Sequence, residues 1–238
     1  MISFIIPAKN ECQYIEGCLD SILEQVTEKE YEILVVDNNS TDNIQAVVKR
    51  KYASVKVIFE SQAGTAVARQ AGFKQALGEI VVFLDADVRL PHKHWLENFL
   101  SIMRQPNVVA VSTHYRYYEL NWFLRFWQQL GTYICIYPWL FLIDRVFKQT
   151  SHMVGGMMGI KSEVLNRLGG FGNDTRFYGD EISIVKKLYP LGRIVVSPGL
   201  WVYTSGRRYN KFGMVNTVFK YVINYFVLWL TGKPYHKY

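Results

Sequence analysis

Ile80-Val81-Val82-Phe83-Leu84 runs directly into Asp85-Ala86-Asp87. Five consecutive apolar residues bounded by polar ones read as a strand buried on both faces, and such strands belong to parallel sheets covered by helices. Shorter or interrupted apolar runs occur three times upstream. Ile2-Ser3-Phe4-Ile5-Ile6 is stopped by Pro7, Glu32-Ile33-Leu34-Val35-Val36 ends at Asp37, and Val55 to Phe59 forms another run. Helical spacings fill the gaps. Ile15, Leu19, Ile22, Leu23 and Val26 mark a helix from about Cys12 to Val26. Thr41 or Asp42 caps a second through Val47 and Val48, and an alanine-rich third runs from Gly64 to Leu77, closed by Gly78. The order β-α-β-α-β-α-β predicts an α/β fold with a mostly parallel sheet and helices on both faces.

In such sheets ligands bind beyond the carboxyl ends of the strands. Here those ends read Pro7-Ala8-Lys9-Asn10-Glu11, Asp37-Asn38-Asn39-Ser40 and Asp85-Ala86-Asp87. Three polar, acid-bearing exits on one edge make a site. A dinucleotide-binding Rossmann fold needs G-x-G-x-x-G after the first strand, and that motif is absent.

The second half is less regular. Pro91 to Met103 reads as a helix and Val108 to Val111 as a strand, while Glu119 to Thr150 is dominated by large apolar groups. The uninterrupted piece Tyr133 to Ile143 is too short to cross a bilayer and contains Pro138, which favours a core or interfacial segment. Phe212 to Leu230 is nearly long enough, but Asn216, Lys220 and Asn224 interrupt it on one helical face. That pattern predicts a C-terminal amphipathic helix lying on a membrane.

With 238 residues, half of them hydrophobic, the chain has ample core material, which excludes disorder for the chain as a whole. Cys12, Cys18 and Cys135 are too scattered for a disulfide framework, and no C-x-x-C pair suggests structural zinc. The net charge of +7 is unevenly placed. From Ile182 onward there are nine basic residues and no acidic one, leaving 18 basic against 20 acidic residues elsewhere. Such asymmetry points to a polyanionic partner. Nucleic acid is disfavoured, because the basic tail is interleaved with an apolar helix rather than an exposed aromatic platform. No secretory signal is legible in Ile2 to Pro7, so the active portion is expected to face the cytoplasm.

Two carboxylates two residues apart at a strand end, Asp85 and Asp87, can share Mg²⁺ or Mn²⁺ with the oxygens of a diphosphate. Asp37 closes its strand one step too early to cap the next helix, and could accept a hydrogen bond from a base N–H or a ribose hydroxyl. Lys9 and Arg69 supply positive charge to the same edge, unless Arg69 is a solvated helix residue. In Thr204-Ser205-Gly206-Arg207-Arg208-Tyr209, placed after the last core strand, the arginines suit either a diphosphate or lipid headgroups. His152 is read as a further metal ligand or acceptor contact, or as a structural histidine.

These residues carry a resemblance. Phe4 to Glu11, Val35 to Asp42, Ala68-Arg69-Gln70-Ala71-Gly72 and Phe83 to Asp87 resemble the family 2 glycosyltransferases with the GT-A fold. Gly155-Gly156-Met157-Met158-Gly159-Ile160, Leu168-Gly169-Gly170-Phe171 and Tyr178-Gly179-Asp180-Glu181 continue the match in family order, over roughly residues 2 to 205. The resemblance implies inverting transfer of a sugar from a nucleotide-diphosphate donor to a hydroxyl acceptor, with a divalent metal. Asp37 would hold the nucleobase, Pro7, Ala8 and Glu11 would line the nucleoside pocket, and Asp85 would meet the ribose and metal, with Asp87 on the metal. Arg69, Arg207 and Arg208 would face the donor, while Gly155 and Gly156 would lie near acceptor or metal. The family's base is the second acid of a Glu-Asp pair. Here the order is reversed, Asp180-Glu181, and either acid could serve.

On this reading residues 1–210 form the catalytic domain, with a nucleotide-binding half (1–90) and an acceptor-binding half (91–210). The tail 211–238 would associate with an anionic membrane surface, making the protein peripheral on the cytoplasmic face, with an acceptor that is lipid-linked or delivered there. Two alternatives stand beside it. A nucleotidyltransferase would also use paired acids at a sheet edge, but lacks its glycine-rich phosphate loop here. A non-catalytic membrane-binding module on a degenerate fold would be indifferent to Asp87→Asn. Glycoside hydrolysis also uses two carboxylates but has no use for a nucleotide pocket.

Overall fold

The computed structural model describes residues 1–131, 134, 156–171, 180–213, 216, 217, 220, 223 and 227. Four strands, β1 (Ile2–Ala8), β2 (Tyr31–Asp37), β3 (Val55–Phe59) and β4 (Ile80–Leu84), alternate with helices α1 (Cys12–Leu23), α2 (Ile44–Lys51) and α3 (Thr65–Phe73). Then come α4 (Trp95–Met103), β5 (Val108–Tyr118), α5 (Trp122–Gly131), β6 (Met157–Lys161), α6 (Ser162–Arg167), α7 (Asp180–Leu188), β7 (Arg193–Ser205) and α8 (Arg207–Phe212).

Continuous apolar runs become central strands because both of their faces need cover. Phe4, Ile6, Ile33, Val35, Val82 and Leu84 pack on one side against Ile15, Leu19 and Ile22 of α1, Ile44 and Val48 of α2, and Trp95 and Phe99 of α4. The alternate residues, Ile5, Leu34, Val36, Val81 and Phe83, pack on the other side against Ala66 and Ala68 of α3, Leu165 of α6, and Ile184 and Leu188 of α7. The predicted α/β layering is therefore correct.

The seven strands lie in the order β3-β2-β1-β4-β6-β5-β7. β1 pairs in parallel with both β2 and β4, and β2 with β3. β6 is antiparallel to β4 and β5, while β5 and β7 are parallel. The chain moves outward from β1 to β3 and then returns to the other flank of β1 as β4. The strand order thus reverses between β1 and β4, and a crevice opens beyond their carboxyl ends.

Local details depart from the sequence reading. The α2 cap is Asn43, left-handed at φ 59°, and neither Thr41 nor Asp42. The polar groups before it are spent across loops: Asp42 Oδ2 accepts the Cys12 amide at 2.8 Å, and Ser40 Oγ accepts that of Asn10 at 3.0 Å. α3 stops at Phe73, and the chain turns through Gln75 and Ala76 towards a well-exposed Leu77. His92 to His94 form a turn, so α4 starts at Trp95 instead of Pro91. β5 extends to Tyr118, seven residues past its apolar run, because it pairs with β7 along its length. β7 includes Thr204 and Ser205, which were expected to follow the last strand.

Tyr133 to Ile143 falls almost wholly outside the described residues. So does most of Phe212 to Leu230, although Asn216, Thr217, Lys220, Ile223 and Val227 are helical. Among the described residues, no helix is long and apolar enough to cross a membrane.

Candidate active site

The β1 and β2 exits are stitched together by short polar loops. Asn10 and Asn39 adopt left-handed φ values of 57° and 58°, which asparagine tolerates better than most residues. Asn10 Oδ1 accepts the Thr41 amide at 2.8 Å. Ala8 stands opposite Asp37 in the β1–β2 ladder. Asp37 is buried, with Oδ1 accepting the Ser40 amide at 2.9 Å and Oδ2 accepting the Gln45 side-chain amide at 2.6 Å. Both bonds fix the carboxylate while leaving each oxygen a further lone pair. Asn38 ties in the third loop: its Nδ2 donates to the carbonyls of Glu60 and Gln62, and its Oδ1 accepts the Gly64 amide at 2.8 Å.

At the β4 exit the Asp85 amide donates to the Gly156 carbonyl at 2.9 Å, which fixes the start of the Asp85-Ala86-Asp87 turn. Arg69, read from sequence as either a site residue or a solvated one, is 1% exposed. Its Nη2 lies 3.2 Å from Asp85 Oδ1, so α3 delivers a buried cation to the strand end. Gly156 is required by close approach, since a Cβ there would stand 2.3 Å from the Tyr115 hydroxyl and 2.8 Å from Asp85 Oδ2.

Asp87 lies deeper, with its side chain 15% exposed. Its backbone carbonyl accepts the Tyr118 hydroxyl at 2.9 Å, and the Thr204 hydroxyl reaches its Oδ1 at 3.4 Å. Arg207 opens α8 and forms a two-pronged ion pair with Glu11, one prong at 2.6 Å. The same guanidinium stands 3.7 Å from Asp87 Oδ2 and 4.6 Å from the centre of the Tyr14 ring. Burial pushes the Asp87 carboxyl up to about 7, and the charges of Asp85 and Glu11 add to this, with Arg207 and Arg208 pulling the other way.

Among the described residues, negative charge from three strand exits therefore converges at the crevice, partly balanced by Arg69, Arg207 and Arg208. Among the described residues there is no group of three or more metal-ligating side chains in reach of one ion. Two carboxylates with unspent oxygens fit a hard cation shared with a ligand's phosphates, which is the manner of Mg²⁺ and Mn²⁺, better than an all-protein cage.

The structure brings together Pro7, Ala8, Glu11, Asp37, Arg69, Asp85, Asp87 and Arg207 along one edge, with exposed Arg208 beside Arg207. Asp180 and Glu181 sit in the first turn of α7, with side chains outside the described set. His152 and Gly155 also lie outside the described residues. Sequence reasoning gave no role to Tyr14 or Tyr118, and named Asn38 and Thr204 only as members of longer stretches. No spacing links the four, because they come from α1, the β2 exit, β5 and β7.

The model of Glycosyl transferase family 2 matches residues 3–169. The chain belongs to this family. The class read from the sequence, nucleotide-sugar-dependent glycosyltransferases acting with inversion, is that of family 2. Glycosyltransferase AglE of Haloferax volcanii is 36% identical over 115 residues, 46% of this chain and 38% of that protein. The poly(ribitol-phosphate) beta-glucosyltransferase of Bacillus spizizenii is 39% identical over 92 residues, covering 36% of this chain and 14% of that one. The matched stretch thus spans well under half of either relative.

Among solved structures, mannosyltransferase PcManGT from Pyrobaculum calidifontis, in complex with GDP-Man and Mn²⁺, superposes with a TM-score of 0.66 at 28% identity. That match covers 86% of this family 2 chain and 56% of PcManGT. Glucosyl-3-phosphoglycerate synthase from Mycobacterium tuberculosis shares the fold at a TM-score of 0.66 and 19% identity, over 97% of this chain and 78% of its own.

Proposed function

We propose that this family 2 chain transfers a sugar, with inversion, from a nucleoside-diphosphate sugar to a hydroxyl acceptor at a membrane surface. The convergence of Glu11, Asp37, Asp85 and Asp87 at the strand-order reversal carries this reading. Residues 1–90 would bind the nucleotide and residues 91–210 the acceptor. Asp37 would accept the base N–H while Pro7, Ala8 and Glu11 flank the nucleoside. Asp85 would meet the ribose and, with Asp87, hold Mn²⁺ or Mg²⁺. A divalent cation bound there supplies charge neutralisation for the departing diphosphate. Arg207 and Arg208 would add bidentate contacts to the same phosphates.

Either Asp180 or Glu181 would take the acceptor's proton as its oxygen attacks the anomeric carbon opposite the leaving group. A single displacement of this kind needs no enzyme nucleophile. His152, Gly155 and Gly156 would border the acceptor.

The membrane part of the reading is supported by α5, whose Trp122, Phe123, Phe126 and Trp127 are all exposed, Trp122 by 80%. Aromatic side chains displayed in this way suit a bilayer interface. Lys211 and Lys220 stand 5.3 and 5.4 Å from the centre of the Phe212 ring and add cationic charge for anionic lipid. Removing residues 212–238 should shift the protein from pelleted membranes to the soluble fraction; unchanged pelleting would sink the role of the tail.

A thermal-shift panel of UDP, GDP, dTDP and ADP, each with and without Mn²⁺, tests the donor reading. A ligand at 100 times its Kd adds about 2.7 kcal/mol to the folded state. The expected result is a metal-dependent shift with one nucleotide that Asp87→Asn abolishes. No shift with any nucleotide, in folded protein, would overturn it.

A further inference from the structure

Among the described residues, Glu11, Asp85 and Asp87 have arginines from two distant elements beside them, Arg69 and Arg207. Arg69 of α3 is committed to Asp85. Arg207 of α8 has a different placement, because it spans two acids from two strand exits: Glu11 after β1, in a two-pronged pair, and Asp87 after β4, at 3.7 Å. It is also held from a third side, where its guanidinium lies 4.6 Å from the centre of the Tyr14 ring. A sequence separation of 196 residues between Arg207 and Glu11 means that this contact depends on tertiary structure. The Arg207 guanidinium therefore places a positive side chain between the Glu11 and Asp87 carboxylates.

We propose that Arg207 is a stand-in cation that makes metal binding conditional on the diphosphate. The inference rests on the reading of Asp85 and Asp87 as the metal-holding pair. A cation arriving alone at Asp87 meets the guanidinium charge at close range and in a partly buried setting, where like charges repel strongly. A cation arriving with a diphosphate brings negative oxygens that the same guanidinium attracts through the N–H groups not spent on Glu11. Arg207 thus opposes the bare ion and favours the ion–nucleotide complex. An ordinary phosphate clamp would only favour the complex, and an ordinary structural ion pair would do neither.

The opposite signs make the test. Free Mn²⁺ is titrated against the full chain by electron paramagnetic resonance, with circular dichroism verifying the fold, and UDP and GDP are then titrated at saturating Mn²⁺. Arg207→Ala should bind Mn²⁺ alone about tenfold more tightly than wild type, as expected for removing one like charge at this range. It should also bind the accepted nucleotide several-fold more weakly. Arg207→Lys keeps the charge without the fork, so its affinity for Mn²⁺ alone should stay near wild type. Arg207→Gln reads the same quantities should the alanine variant fail to fold. Unchanged or weaker binding of free Mn²⁺ on removing the charge overturns the proposal. The control is Asp87→Asn: Mn²⁺ binding that survives it, or that is absent from every form, overturns the metal-site reading itself and this inference with it.

Discussion

β1, β2 and β4 in one half of the sheet, and β5 and β7 in the other, belong to a single sheet but end differently. The first three stop within two residues of their apolar runs, and the loops after β1 and β2 are pinned by Asn10, Asn38, Ser40 and Asp42 to neighbouring backbone. β5 and β7 run on together past their apolar stretches, and the continuation carries Tyr115, Tyr117, Tyr118, Trp201 and Tyr203. Tyr117 packs edge-on against Tyr209 at 4.9 Å, Trp201 against Tyr203 at 4.8 Å, and Arg116 lies 3.9 Å over Trp201. One side places acids through local turns; the other builds an aromatic wall through long-range pairing. The two regions still meet, because Tyr118 of β5 and Thr204 of β7 both reach Asp87 at the β4 exit.

The largest expected effect is on chemistry at the first side. Asp87→Asn should lower sugar transfer by about 10²–10³-fold, the scale for losing a key electrostatic group, while leaving the fold intact by circular dichroism. Transfer at wild-type rate would remove Asp87 from the site. Two glycines of β6 and its entry then separate core from crevice. A Cβ at Gly159 would stand 2.2 Å from the Phe99 ring in the fully buried core, so Gly159→Ala should cost about 1–3 kcal/mol in urea melts. Gly156→Ala would instead press on the Tyr115 hydroxyl and Asp85 Oδ2 at the crevice, and should weaken metal–nucleotide binding with a smaller loss of stability. Equal stability losses at the two positions would erase the distinction.

Asn38→Ala removes three hydrogen bonds that join two loops, and should cost about 2 kcal/mol and broaden the amide signals of residues 60 to 64. A smaller effect concerns pH. Because the fold raises Asp87 to about 7, above its unfolded value, it favours the protonated acid. The associated stability is present in full below the unfolded pKa and lost as pH rises through about 7. The metal-free wild type should therefore lose stability relative to Asp87→Asn across that window, and Mn²⁺ affinity should rise as the competing proton leaves. Parallel pH profiles for the two proteins would contradict this. The smallest effect is Asn43→Gly, expected to change stability by less than about 0.5 kcal/mol because its left-handed φ suits glycine equally well.

Much of the first region was legible in advance. Strands such as Glu32 to Val36 announce themselves because burial on two faces demands an unbroken apolar run, and acids at their ends follow immediately in the chain. The α2 cap was misplaced because Ser40, Thr41 and Asp42 all have capping chemistry, and only the neighbouring β1 loop decides where they spend it. β5 was read as ending at Val111 because Ser112 to Tyr118 mixes polar and aromatic residues, and its partner strand begins some eighty residues further on. Arg69 was ambiguous for a related reason: alanine-rich helix faces do not say which side is buried.

The sequence by itself determined the parallel core, the edge on which the acids gather and the family, since each depends on periodicity or on residues adjacent in the chain. Tertiary structure alone decided that Arg69 is buried against Asp85, that Tyr118 and Thr204 brace Asp87, and that Arg207 bridges Glu11 and Asp87. Those contacts join residues 16 to 196 positions apart, and a charge pair at such separation leaves no pattern until the sheet fixes where its members stand.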